Sequence, residues 1–281
     1  GTGEYALATT PVHYARGLGH NQSANINSPA GRPDLSVTLD NLVEELPGCQ
    51  SVSVVVSWFG SDLRCSACTV RPKVEDKTVD GTPMAWRAGG IGRGAAMEVP
   101  RQDGRSVYGG TPADGAVIEA ITTLKARGKA VMFYPFVLMD QLAGNGLADP
   151  WSGAADQPAL PWRGRITLST APGQAGTTDR TAAASAEVAA FFGNALPAHF
   201  SRSGTVVSYA GPAEWSYRRF ILHYAYLCAA AGGVDAFCIG SELRGLTQIR
   251  GAGDSFPAVL ALKQLAADVR LILGPGVKIG Y

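Results

Sequence analysis

Two carboxylates in this chain of 281 residues stand where an apolar run stops. Glu242 closes the stretch "DAFCIGSE", with Arg244 two residues further on, and Asp140 closes "KAVMFYPFVLMD". An acid at the end of a buried strand, partly desolvated and near aromatic rings, is placed for general acid–base work. The plain alternative for Glu242 is a solvated loop residue or an ordinary ion pair with Arg244 or Arg250. Trp58, Trp151 and Trp162 add flat apolar faces on which sugar rings stack through their C–H groups, although tryptophans also serve simply as packing.

Other chemistries lack their parts. The pair Cys65 and Cys68 in "CSAC" is half of a zinc pattern, with no second CxxC and no histidine pair to complete four ligands. The cluster "AGGIGRGAA" lacks the GxGxxG order and the apolar helix of a dinucleotide site. There is no GxSxG, His199 and His223 have no nucleophilic partner in view, and no HxH pair follows the first strand. The sequence therefore implies no cofactor and no metal.

The elements that must position these residues alternate. "SVSVVVSWFG" (51–60) is a β-branched strand, and "SVY" (106–108) reads as a brief second one. A helix follows, with Thr111 as N-cap, Pro112 in its first position and Gly128 as its stop. Residues 130–139 then form a strand apolar on both faces, the signature of a parallel sheet covered on both sides. Helices are expected at 39–46, 182–194, 215–231 and 256–273, the last with Val259 on its apolar face, and strands at 234–240 and 277–281. Such alternation means parallel strands joined by helices. A (β/α) barrel is favoured over a doubly wound sheet, because the dinucleotide fingerprint is missing and long loops follow the strands. Residues 1–36 read as an irregular arm, and 61–105 and 141–180 as loop insertions in a barrel domain spanning 37–281.

Side chains alternate along a strand. Phe237, Ile239 and Ser241 therefore face the helices, while Ala236, Cys238, Gly240 and Glu242 face the barrel interior. By this parity Glu242 sits at the C-terminal mouth, where barrel enzymes keep their chemistry.

"FCIGSELRGLT" resembles the strand-four motif of retaining glycoside hydrolases with a (β/α)8 barrel. More closely, "GTGEYALATTPVHY", "VVVSWFG", "YGGTPADGAVIEAI", "DPWSGAADQPALPWRGRITLS" and "CIGSELRGLT" together resemble the TIM-barrel-like domain of the large gene transfer agent tail protein, also described as host-specificity-protein-like. The resemblance implies an α/β TIM-barrel-like fold in a phage-derived tail-tip protein, acting on or binding host cell-envelope polysaccharide, in company with other tail proteins, at the tail of a virion-like particle. It implies Glu242 as acid/base, and Trp58, Tyr134, Asp140, Trp151 and Arg244 as sugar-contacting groups. The family's nucleophile follows the seventh strand. This chain presents about five, so it is expected to be the N-terminal part of a barrel completed by further sequence. Asp62 and Asp140 are the substitute nucleophiles within it. Hydrolysis needs two carboxylates, about 5 Å apart for retention or roughly 6.5–9.5 Å for inversion. A structural or receptor-binding barrel with a vestigial pocket is the competing expectation.

Composition narrows the partners. Charged residues make up 17% of the chain and the net charge is +1, so there is no basic footprint for nucleic acid. No apolar run reaches the roughly 18–20 residues of a membrane span. Glycine and proline number 35 and 17, which suits a globular chain with long loops.

Overall fold

The computed structural model describes residues 3–281. Its centre is a sheet of four parallel strands, β1 (Ser51–Gly60), β2 (Ala130–Met139), β3 (Ala236–Cys238) and β4 (Lys278–Gly280). They lie side by side in chain order, and a short strand, Val70–Arg71, pairs antiparallel with the last two residues of β1. A doubly wound sheet reverses its strand order at a switch point. Here the order never reverses, which is barrel winding, and four parallel strands leave the barrel incomplete.

The sheet has five strands in all, but one is not the strand expected from the sequence. "SVY" stays outside the sheet, and Arg105–Ser106 instead forms a small hairpin with Arg101–Gln102. Glu242 consequently follows the third parallel strand, not the fourth.

The β-branched run of β1 cannot keep a helical period and pairs with β2 along its whole length, Ala130 opposite Ser51 through Met139 opposite Gly60. On β2 the residues Val131, Phe133, Val137 and Met139 are buried against the helices, while Tyr134 and Phe136 stand half-buried on the other face. Phe133 packs on Phe237 of β3 and on Tyr224. The expected parity therefore holds through β3, where Phe237 and Ile239 join the core.

Among the described residues six α-helices accompany the sheet: α1 (Asp34–Glu45), α2 (Asp114–Ala126), α3 (Ala182–Phe192), α4 (Tyr217–Ala230), α5 (Arg244–Thr247) and α6 (Pro257–Leu273). The helix α4 packs against α2 and α6 and is buried almost all round. Two expectations need correction. Thr111 does not cap α2; its hydroxyl donates to the Ser57 carbonyl at 2.9 Å, tying the helix entry to β1. Val259 on α6 faces outward, and Ala258, Leu262, Leu265 and Val269 make the buried stripe.

The arm read as irregular carries a hairpin, His13–Gly17 with His20–Ser23, which adds onto Gly81–Thr82 of the first insertion. Tyr5, Val12, Val74 and Trp86 make a second, smaller core there. A buried two-point ion pair between Glu4 and Arg93 and an Arg93–Asp80 contact of 2.9 Å lock it. The rim that matters for function is formed by the C-terminal ends of the parallel strands and the loops that leave them.

Candidate functional site at the sheet rim

Glu242 does not reach the rim by simple alternation. After Cys238 the chain leaves the sheet, and Gly240 passes so close to α4 that a Cβ there would lie 2.6 Å from the Tyr217 hydroxyl. Tyr217 donates to the Ile239 carbonyl at 2.9 Å. Ser241, expected to face the helices, instead turns its hydroxyl to Tyr134 on the inner face of the sheet, at 2.5 Å. Glu242 then adopts φ +55°, a left-handed conformation that few residues other than glycine take. Strain of this kind persists only where the surroundings enforce it.

The surroundings are Trp162 and Arg163 from the loop after β2. Arg163 is buried, with its guanidinium 3.6 Å over the Phe136 ring. It donates from Nε to the Ser241 carbonyl at 3.1 Å and from Nη2 to Ser241 Oγ at 3.0 Å. The same Nη2 lies 3.3 Å from Glu242 Oε2, and Trp162 Nε1 donates to that oxygen at 2.6 Å. One hydrogen bond and one ion pair thus fall on the same carboxylate oxygen. No described residue bonds Oε1, and the side chain is 53% exposed, so the expected partial desolvation is not what sets this acid apart. Its ion-pair partner is Arg163, neither Arg244 nor Arg250; Arg250 pairs with Asp254 at 3.2 Å.

Beside Glu242 lies a cleft of about 390 Å³ lined by Trp151, Trp162, Gly164, Arg165, Arg244, Gly245 and Gln248. Two of these glycines are required by close approach. A Cβ on Gly164 would sit 2.4 Å from the Trp162 ring, and one on Gly245 would sit 2.7 Å from the Ile166 carbonyl and 3.2 Å from the Trp151 ring. Their bareness lets α5 settle onto the 162–166 turn and lets Trp162 fold back over it. Trp151 is fixed by its Nε1 donating to the Arg165 carbonyl at 2.8 Å. The lining offers two aromatic rings, two guanidinium groups and an amide, and none of its residues is a carboxylate.

The structure thus gathers Glu242, Trp151, Trp162 and Arg244 at one place, with Tyr134 one hydrogen bond away through Ser241. The remaining candidates lie apart. Trp58 is 0% exposed and packed among Trp215, Phe220, His223 and Tyr224, with its Nε1 donating to Tyr224 at 3.0 Å; it is core and has no face for a ligand. Asp140 is buried against Lys73 at 2.6 Å. Burial raises its pKa above the usual carboxylate value, and the Lys73 charge and hydrogen bond offset only part of that rise. Asp62 is also buried, accepting from Arg64 and from Gln157 Nε2 at 2.7 Å. Burial pulls its pKa up, but these hydrogen bonds outweigh it and leave the group below its ordinary range. Both aspartates are buried in ion pairs, whereas the Glu242 side chain is half exposed. Cys65 and Cys68 are buried in the main core, where burial pushes the Cys68 thiol up to about 12.

The residue that sequence reasoning missed is Arg163. Its signal was present in "PWRGR", the cation-dense piece of an otherwise apolar and glycine-rich loop, since an acid at a strand end calls for a counter-charge.

The segment that carries α4, β3, Glu242, α5, α6 and β4 is the part that other sequences recognise. Residues 215–281 match the family model of the GTA TIM-barrel-like domain. The matched segment supplies Glu242, Arg244, Gly245 and Gln248, whereas Trp151, Trp162 and Arg163 come from the loop outside the match. No curated protein matches the chain. Among solved structures, a complex of a GH113 β-1,4-mannanase shares 15% identity at a TM-score of 0.38, covering 85% of this chain and 46% of that one. A second GH113 β-1,4-mannanase structure shares 14% identity at the same TM-score, over 85% and 47% of the two chains. The chain spans about half the length of these structures.

Proposed function

We propose that the Glu242 cleft binds a glycan of the cell envelope, and that the chain serves as a glycoside-hydrolase-like recognition domain of a phage-derived tail protein acting at the host surface. The observation that carries this reading is the joint placement of Trp162 and Glu242. A ring 47% exposed at the cleft wall offers a stacking face, and the carboxylate bonded to its indole keeps one oxygen open to accept from sugar hydroxyls. The family match of the segment bearing Glu242 supports the tail-protein setting.

The carboxylates of the described residues support binding. Glycosidic cleavage uses a pair of acids. The cleft lining contributes no carboxylate, and Asp62, Asp140 and Asp149 are paired with Arg64, Lys73 and Arg165.

The test is titration of host-envelope polysaccharide against the protein and Trp162→Ala, with reducing-sugar release measured in parallel. The expected result is saturable binding weakened at least about tenfold by the substitution, the scale of a lost stacking contact, without sugar release. Equal binding by the two proteins would overturn the reading, and sugar release that disappears in Glu242→Gln would replace binding with hydrolysis.

A further inference from the structure

The charges around the cleft do not cancel. Glu242 is spoken for by Arg163 and the Trp162 indole. Asp149 is the partner of Arg165, at the long separation of 3.4 Å, and Arg165 Nε is buried with no hydrogen-bond partner. Arg244 is exposed in the lining, and its guanidinium meets no carboxylate, carbonyl or aromatic face among the described residues. Its backbone is nonetheless well placed. Arg244 opens α5, and the next residue, Gly245, is clamped against the 164–166 carbonyls. The result is a fixed point from which a cation with all its donors unused lines the same cleft as two tryptophans.

A neutral sugar would need acceptors and donors along the wall, which hydroxyl and amide side chains provide well. A guanidinium fork is matched instead to a planar anion, which it holds by two parallel hydrogen bonds. Resting on the glycan reading above, we infer that the sugar unit over Trp151 and Trp162 is acidic, bearing a carboxylate that Arg244 recognises, and that Arg244 is the specificity-determining residue of the cleft. Glu242 then receives the hydroxyls of the neighbouring unit, and its attachment to Arg163 keeps its own charge from neutralising Arg244.

Affinity electrophoresis separates the two levels of this account. The protein is run through gels containing polygalacturonate or alginate, and through gels containing the carboxyl-reduced form of each, which keeps the chain and removes the charge. The expected result is retardation at least about tenfold stronger, as an apparent Kd, in an acidic gel than in its reduced counterpart. In Arg244→Gln the ratio of retardation in the acidic gel to that in its reduced counterpart falls to about one. Equal retardation in acidic and reduced gels, still abolished by Trp162→Ala, would overturn the acidic-sugar inference and leave the glycan reading standing. An acidic preference that persists in Arg244→Gln would remove Arg244 from the role. Absence of retardation in all four gels would overturn both.

Discussion

The two sides of the sheet rim answer the same structural position in opposite ways. On the β1 and β2 side, Asp62 and Asp140 are buried in ion pairs with Arg64 and Lys73. On the β3 side, Glu242 is half exposed, strained in its backbone and bonded through a single oxygen. An acid at the end of a barrel strand is therefore not a site by virtue of where it stands. Its environment decides whether it holds the fold or meets a ligand.

Substitutions sharpen that contrast, and the largest effect belongs to the buried pair. Lys73→Met leaves Asp140 buried without its cation and should cost about 3 kcal/mol of stability at pH 7 in a chemical denaturation experiment. Because the folded-state pKa of Asp140 is already raised, the cost grows as pH rises above the ordinary carboxylate value and shrinks as pH falls and the group takes up a proton. Asp62→Asn comes next, at about 2 kcal/mol from the lost hydrogen bonds. Its pH dependence has the opposite sign. A lowered folded-state pKa contributes stability that is present above the ordinary aspartate value and is lost as pH falls through the folded value, so the mutant and the parent converge in acid. Convergence of the Lys73→Met mutant with the parent at high pH, or of Asp62→Asn at neutral pH, would break the distinction between the two aspartates.

How much of this was legible in the sequence varied with the range of the interactions. Strands β1 and β2 and helices α2, α3, α4 and α6 follow from local periodicity, the barrel was favoured by the missing fingerprint and the long loops, and the inward and outward faces were readable as far as Ile239. Parity failed one step later because Gly240 is forced past Tyr217 and Ser241 is captured by Tyr134, contacts between residues 23 and more than 100 positions apart that no local pattern encodes. Trp58 was misplaced for a related reason: its strand parity points to the helices, and only the packing of α4 shows the ring enclosed there. The pairing of Glu242 with Arg163 rather than Arg244 depends on how a loop of forty residues folds back, held by Gln157 on Asp62 and by the bridge of Thr167 to Arg64.

The most direct measurement is made on Glu242→Gln. The side chain is half exposed and its backbone conformation is kept by its neighbours, so the melting temperature should stay within about 2 °C of the parent. Binding of envelope polysaccharide, measured by titration on the same sample, should fall at least about tenfold because the free carboxylate oxygen no longer accepts from sugar hydroxyls as an anion. A mutant that melts like the parent and binds like the parent would contradict the account, because Glu242 would then be one more charged residue at the end of a strand.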